Sequence, residues 1–191
     1  MATPASILLV GLGGAGCAMV TRLSAQLPAE VSVALFDTDA RALAAGGPGT
    51  SLQLGRAQTR GMGTGGEAAL GLASAEAEEP ALRRLFTGVP VVVLVTGLGG
   101  GTGSGAAATV AGFAAETGAT VLAFATMPFS HEGERRMCQA NEAAVKIGQK
   151  PDRSGYGIRV CVVTVVINGC SGWHREGAQA SGHVAAGPQA D

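Results

Sequence analysis

Val91-Val92-Val93-Leu94-Val95-Thr96-Gly97-Leu98-Gly99-Gly100-Gly101-Thr102-Gly103-Ser104-Gly105 is the stretch from which the fold can be read. Val91 to Val95 is a continuous apolar, mostly β-branched run, as expected of a strand buried on both faces of a parallel sheet. Six glycines in the next nine residues, Gly97 to Gly105, break it, and the Ala-rich segment Ala106 to Glu116 reads as a helix. The unit is therefore strand, glycine turn, helix.

The same unit opens the chain. Ile7 to Val10 is a short apolar strand that runs into Gly11-Leu12-Gly13-Gly14-Ala15-Gly16. From Gly16 to Leu27, Met19, Val20, Leu23 and Leu27 recur at helical spacing, and Pro28 stops the helix. Val31 to Phe36 is a second strand ending in Asp37-Thr38-Asp39, which completes a βαβ unit. Toward the C-terminus, Thr120 to Thr126 and Val160 to Ile167 read as strands, with a helix from Glu134 to Ile147 between them. A helix is expected over Ala73 to Phe86. Residues 46–71 are polar and glycine-broken without periodicity, a loop whose length points to function. Alternating strands and helices predict an α/β fold: a Rossmann-like, doubly wound, mostly parallel sheet with helices on both faces. Ligands of such sheets bind beyond the carboxyl ends of the strands, where both glycine turns lie.

With 191 residues, one domain over 1–168 is expected, followed by a disordered tail over 169–191 that offers little to bury. The composition is 47% hydrophobic but only 4% aromatic, so the core is built from Val, Ile, Leu and Ala. A net charge of −1 gives no basic field for nucleic acid, and no apolar run is long enough to insert in a membrane. No charged region precedes the first apolar run, so no secretory signal is read. Cys17, Cys138, Cys161 and Cys170 form no CxxC pair and read as reduced thiols of a cytoplasmic protein.

Glycine turns that open helices bring backbone N–H donors close to phosphate oxygens. Gly11 to Gly16 fits GxGxxG, and Asp37 at the end of the second strand mimics the acid that grips an NAD ribose, so an NAD(P)-binding domain is one reading of this half. The second loop points instead to a chain of phosphates cradled between two turns, with Thr102 and Ser104 adding hydroxyls. No Gly-Lys-Ser/Thr occurs, which excludes a Walker A loop. The bland alternative is that the glycines serve only tight helix–strand packing.

Five segments in order resemble the tubulin/FtsZ family. Gly97 to Gly105 closely resembles the signature GGGTG[ST]G, and Gly11 to Gly16 the family's first glycine loop. Phe36-Asp37-Thr38-Asp39-Ala40-Arg41-Ala42-Leu43 is similar to its Asn-Thr-Asp-x-x-x-Leu segment. Leu54-Gly55-Arg56 through Thr59-Arg60-Gly61-Met62-Gly63-Thr64-Gly65-Gly66 is similar to its next phosphate loop. Thr126-Met127-Pro128-Phe129-Ser130-His131-Glu132-Gly133-Glu134-Arg135-Arg136 resembles the ribose segment TxPFxxEGxxR. The resemblance implies GTP or GDP as ligand, with Mg²⁺, and the metal ligands stay unassigned. It puts Gly13, Gly14 and Gly16 at the α- and β-phosphates, and Gly99, Gly100, Gly101, Thr102 and Gly103 in the loop for the β- and γ-phosphates. Thr64, Gly65 and Gly66 would sense the γ-phosphate, and Glu132 and Arg136, four residues apart on one helix face, would hold the ribose. Cys17 joins the nucleotide-binding set, standing with Ala18 where the family has Asn, and Asp37 stands where it has Asn. Asn168 is a candidate for contact with the base.

The resemblance implies a cytoplasmic GTP-binding division protein at the division site, polymerising head to tail with its own copies or with full-length FtsZ-type subunits. No catalytic residue is assigned within the chain, because the Asn-x-Asp-x-x-Asp loop with which one subunit completes its neighbour's site is absent. A truncated or frameshifted product after about Ala140 would account for this, as would a short paralogue. A non-hydrolysing module that caps or regulates filaments is the second functional reading.

Overall fold

The computed structural model describes residues 7–44, 46–149 and 160–165. Six strands, β1 (Ile7–Leu12), β2 (Val31–Asp37), β3 (Thr50–Gln53), β4 (Val91–Gly97), β5 (Thr120–Thr126) and β6 (Val160–Val165), form one sheet in the order β3-β2-β1-β4-β5-β6. Every neighbouring pair is parallel. The chain winds outward from β1 to β3, then crosses to β4 on the other side of β1 and winds outward again. The reversal falls between β1 and β4.

The helices are α1 (Gly13–Leu23), α2 (Ala40–Ala44), α3 (Arg56–Thr59), α4 (Ala68–Ala77), α5 (Glu79–Phe86), α6 (Gly101–Glu116) and α7 (Glu134–Gln149). Strand residues alternate between two cores, as a period of two requires. Leu8, Val10, Leu12, Ala34, Phe36, Val92 and Leu94 face the larger core with α4 to α7. Leu9, Val33 and Leu35 face the smaller one with Cys17 and Val20 of α1. Helices thus cover both faces, as expected.

Residues of α6 are buried almost all round, Ala106, Ala107, Val110, Ala111 and Ala114 among them, because the helix lies between the sheet and α4. A Cβ on Gly71 of α4 would overlap the Gly101 carbonyl oxygen, and one on Gly105 would overlap that of Ala68. Small residues let the two helix backbones touch, which explains an Ala- and Gly-rich interior in place of a leucine-rich one.

Several boundaries differ from the expected ones. The helix expected over Ala73 to Phe86 is two, broken at Glu78 (φ −101°, ψ 15°), with Pro80 in the first turn of α5. Proline lacks an N–H and its ring blocks a continuous helix. The segment 46–71 is not structureless: it holds β3, α3 and the start of α4, and Leu54 is fully buried. Its edge strand is short and half exposed, and flanking Gly49 and Gly55 hide it from a periodicity search. The helices α1 and α6 begin at Gly13 and Gly101, inside the glycine runs. The last expected strand is β6 through Val165; Ile167, Asn168 and the expected 169–191 tail lie outside the described residues. Among the described residues no helix is long and apolar enough to cross a membrane.

The larger core makes a test of this packing. Leu82 is fully buried on α5 beside Phe86, whose ring meets Phe36 edge-on at 6.2 Å. Leu82→Ala is expected to lower the unfolding free energy by about 2–5 kcal/mol in urea titration. Val145→Ala, on an exposed part of α7, is expected to change it by less than about 0.5 kcal/mol. Equal effects would contradict the assigned core.

Candidate functional site

At the reversal between β1 and β4 the two glycine turns face each other. Gly13 sits at φ +71°, a backbone conformation that side chains disfavour, and a Cβ there would lie 3.1 Å from the Gly103 nitrogen. Gly16 is buried below, where a Cβ would overlap the Val95 carbonyl oxygen, so close packing of α1 on β4 is enough to require glycine. A Cβ on Gly103 would likewise overlap the Gly97 carbonyl oxygen. Packing therefore accounts for part of the glycine content, as the bland alternative held. It does not account for Gly14 and Gly100, which are exposed, and a Cβ on Gly100 would meet nothing within 4 Å.

Neither helix start is capped. The N-cap positions of α1 and α6, Leu12 and Gly100, make no side-chain cap, and neither first turn carries an acid. The N–H groups of a helix's first turn have no partner within the helix. Two such turns open on one crevice, and both bring the positive ends of helix dipoles to it.

Around this centre the other sequence-predicted residues gather. Thr102 is buried, and its hydroxyl lies 2.7 Å from that of Thr38, at the end of β2. The Ser104 hydroxyl accepts the Gly99 N–H at 2.8 Å, shaping the loop before α6. Thr64 is buried, while Gly65 and Gly66 are exposed at φ +60° and +89° with open space around them. Gly101 meets this loop so closely that a Cβ would overlap the Thr64 hydroxyl. The loop therefore stands over the first turn of α6.

Cys17 is placed differently. It is 7% exposed, and its thiol donates to the carbonyls of Gly11 (3.3 Å) and Phe36 (3.5 Å). Burial, and next the nearby Asp37 charge, push its pKa up to about 12, so the thiol stays protonated. It joins β1, β2 and α1 beneath the crevice. Cys17 and Cys138 are both free thiols.

On the far side, Arg136 of α7 donates to Glu132 at 2.6 Å, but the two do not share a helix face, because Glu132 lies in the turn before Gly133 (φ +99°). The other Glu132 oxygen accepts the Phe129 N–H at 2.8 Å. Two residues of α7 escaped the sequence reading: Arg135 pairs with Glu67 at 2.7 Å, and the Gln139 amide donates to the carbonyls of Gly66 (3.2 Å) and Gly99 (3.4 Å). Their spacing of four on one helix face was the available signal. Thr38 was also missed as a site residue, since only the sheet order brings it to Thr102.

The Phe129 N–H and then Arg136 hold the Glu132 carboxyl below its ordinary value of 4.5. A depressed folded pKa means the contribution is present above the unfolded value and is lost as pH falls through the folded one. Glu132→Gln is therefore expected to lower the melting temperature at neutral pH, with the gap to wild type narrowing as pH falls below the ordinary carboxylate value. A gap that does not change with pH would show that it does not arise from the carboxylate's charge.

The sequence model of the Tubulin/FtsZ family, GTPase domain, matches residues 6–154. The cell division protein FtsZ of Neisseria gonorrhoeae is 38% identical over 133 residues, 70% of this chain and 34% of its own length. That of Buchnera aphidicola (subsp. Schizaphis graminum) is 35% identical over 148 residues, 78% of this chain and 38% of its own. Among solved structures, an empty FtsZ dimer from M. jannaschii superposes with a TM-score of 0.76 at 32% identity, over 85% of this chain and 46% of that one. The Haloferax volcanii CetZ2 protofilament shares the fold, with a TM-score of 0.71 at 23% identity over 83% of this chain and 49% of that one. The chain thus spans about a third of the length of the two curated relatives. With its parallel sheet, its paired glycine turns and these matches, the chain belongs to the Tubulin/FtsZ family and corresponds to part of its GTPase domain.

Proposed function

We propose that this chain is the nucleotide-binding part of an FtsZ-type division protein, taking GTP and GDP in the crevice between β1 and β4. The observation that carries this is the meeting of two uncapped, glycine-built helix N-termini at the sheet's reversal. One helix end gives an exposed anion only about 0.3–1 kcal/mol, so binding needs many donors acting together, and two turns supply them. In this reading Gly13 and Gly14 take the α- and β-phosphates, Gly100 to Gly103 the β- and γ-phosphates, and Thr64 to Gly66 the γ-phosphate. Glu132 and Arg136 take the ribose hydroxyls.

A Mg²⁺ ion fits this donor set through the ligand. Among the described residues no group of three His, Cys, Asp or Glu side chains could hold a metal, and Mg²⁺ favours phosphate oxygens and water. When bound it would neutralise charge on the phosphates. The chain's own part in hydrolysis is to hold the triphosphate and offer backbone donors to the charge that develops as water attacks the γ-phosphate. A neighbouring subunit, either another copy or a full-length FtsZ-type chain, supplies the carboxylates that position the water. The NAD(P) reading rests on the first glycine turn and Asp37 alone, whereas a second glycine turn at the start of α6, with the Thr102 and Ser104 hydroxyls, favours a chain of phosphates.

Calorimetric titration with GTP, GDP, ATP and NAD⁺ tests the ligand. Guanine nucleotides are expected to bind best, and binding of NAD⁺ without GTP would overturn the proposal. Gly100→Asp separates folding from binding. Its Cβ has open space, and Asp is a favoured N-cap, so the melting temperature is expected to hold or rise slightly. The added carboxylate occupies the phosphate position, so affinity is expected to fall at least about tenfold, or roughly 1.4 kcal/mol. Turnover of GTP by the purified chain alone is expected to be slow; rapid turnover in dilute solution would remove the need for a neighbour.

A further inference from the structure

Asp37 is a carboxylate in a position that a phosphate ligand makes costly. It is 4% exposed at the carboxyl end of β2, and its Oδ1 accepts the N–H groups of Thr38 (2.7 Å) and Asp39 (3.2 Å). Among the described residues no backbone N–H reaches Oδ2, and no cation pairs with it. That oxygen lies on the crevice side, 3.9 Å from where a Cβ on the exposed Gly14 would stand, at the first turn of α1. The residue therefore looks at the same positive helix end that a phosphate would use.

A carboxylate and a phosphate are both acceptors, and each is stabilised by that one helix end. Side by side in a poorly solvated site they repel, and one of them must change. The neutral acid resolves the conflict: it keeps Oδ1 as acceptor for the two N–H groups and turns Oδ2 into a donor. We propose that Asp37 couples phosphate binding in this crevice to the uptake of one proton, so that the ligand is held with Asp37 as the neutral carboxylic acid. The proton comes from solvent and no covalent bond other than Oδ2–H is formed. The inference rests on the crevice being a nucleoside polyphosphate site.

The neighbours leave Asp37 as the group that titrates. Cys17 faces it from α1, and its thiol, at about 12, stays neutral. Asp39, on the same loop, is held below its ordinary range by the Arg41 N–H and side chain, so it stays ionised. The strands on either side, β1 and β3, carry no titratable side chain. Thr102 of α6 reaches the loop only through the Thr38 hydroxyl. Burial raises the Asp37 pKa even without ligand and the neighbouring Asp39 charge adds to this, although the Asp39 and Thr38 N–H groups and the Thr38 hydroxyl oppose it.

The test is calorimetric titration of GDP into the whole chain without Mg²⁺, from about pH 5.5 to 8.5, in buffers of differing ionisation enthalpy. Asp37→Asn serves as reference: its side-chain oxygen still accepts both N–H groups, and subtracting it removes the ligand's own ionisation. Wild type is expected to take up more protons on binding than Asp37→Asn, by up to one, within that pH range. Its affinity relative to the variant should fall by up to about tenfold per pH unit on the alkaline side. Equal proton uptake in both proteins overturns the proposal while leaving nucleotide binding intact. A wild-type deficit that is independent of pH and disappears when Mg²⁺ is added also overturns it, since a cation then compensates the carboxylate. Absence of GDP binding by both proteins overturns this inference together with the assignment of the crevice.

Discussion

The approach of α1 and α6 to one seam between β1 and β4 is the constraint on which the rest of the structure depends. Backbone lies against backbone there, with Gly16 under Val95, Gly103 under Gly97, and Gly13 facing Gly103. No side chain has room at these points. The same rule extends outward, since Gly71 and Gly105 let α4 lie directly on α6. The helix packed between sheet and α4 must then be thin all round, and its Ala-rich composition follows from its position.

This approach has an energetic cost. Glycine in a helix is less favourable than alanine by roughly 1 kcal/mol, so Gly14, Gly16, Gly101, Gly103 and Gly105 together cost on the order of 5 kcal/mol. Against a typical domain stability of about 5–15 kcal/mol that is a large sum. Packing recovers it at Gly16, Gly103 and Gly105, where a side chain would collide with backbone. It does not recover it at Gly14, which is exposed. In the proposed reading the gain at that position comes from an anion that binds the uncapped turn and so stabilises the native state.

The layers of the fold were legible in the sequence because they rest on local signals. Val91 to Val95 reads as a buried strand whatever lies around it, and the glycine turns mark their own ends. The spacing of four pointed to a Glu132–Arg136 pair, which forms, although Glu132 lies before Gly133 (φ +99°) and only Arg136 belongs to α7. What escaped the reading depends on tertiary placement. Thr38 meets Thr102 across a separation of 64 residues, which only the sheet order brings together. The strand β3 escaped because an edge strand with few buried side chains has no period to detect. Cys17 drew notice for standing where the family has Asn, and only the packing of α1 on β1 and β2 reveals that its thiol is engaged by Gly11 and Phe36.

The two walls of the crevice are held by different forces. The wall formed by α1 and α6 is fixed by backbone contacts that cannot shift without collision, so it presents its donors in one arrangement. The opposite wall, the loop Thr64 to Glu67, is held to α7 by the Arg135–Glu67 pair and by the Gln139 amide. That ion pair is largely exposed, and exposed pairs contribute little, commonly below about 1 kcal/mol. Gly65 and Gly66 add left-handed backbone with open space around it. Thr64 itself is buried against the first turn of α6, so any freedom of the loop is confined to its exposed glycines. Gln139 donates to Gly66 and to Gly99 together, so one side chain of α7 touches both walls. The same helix carries Arg136, so α7 touches the loop, the glycine turn and the Glu132 pair at once.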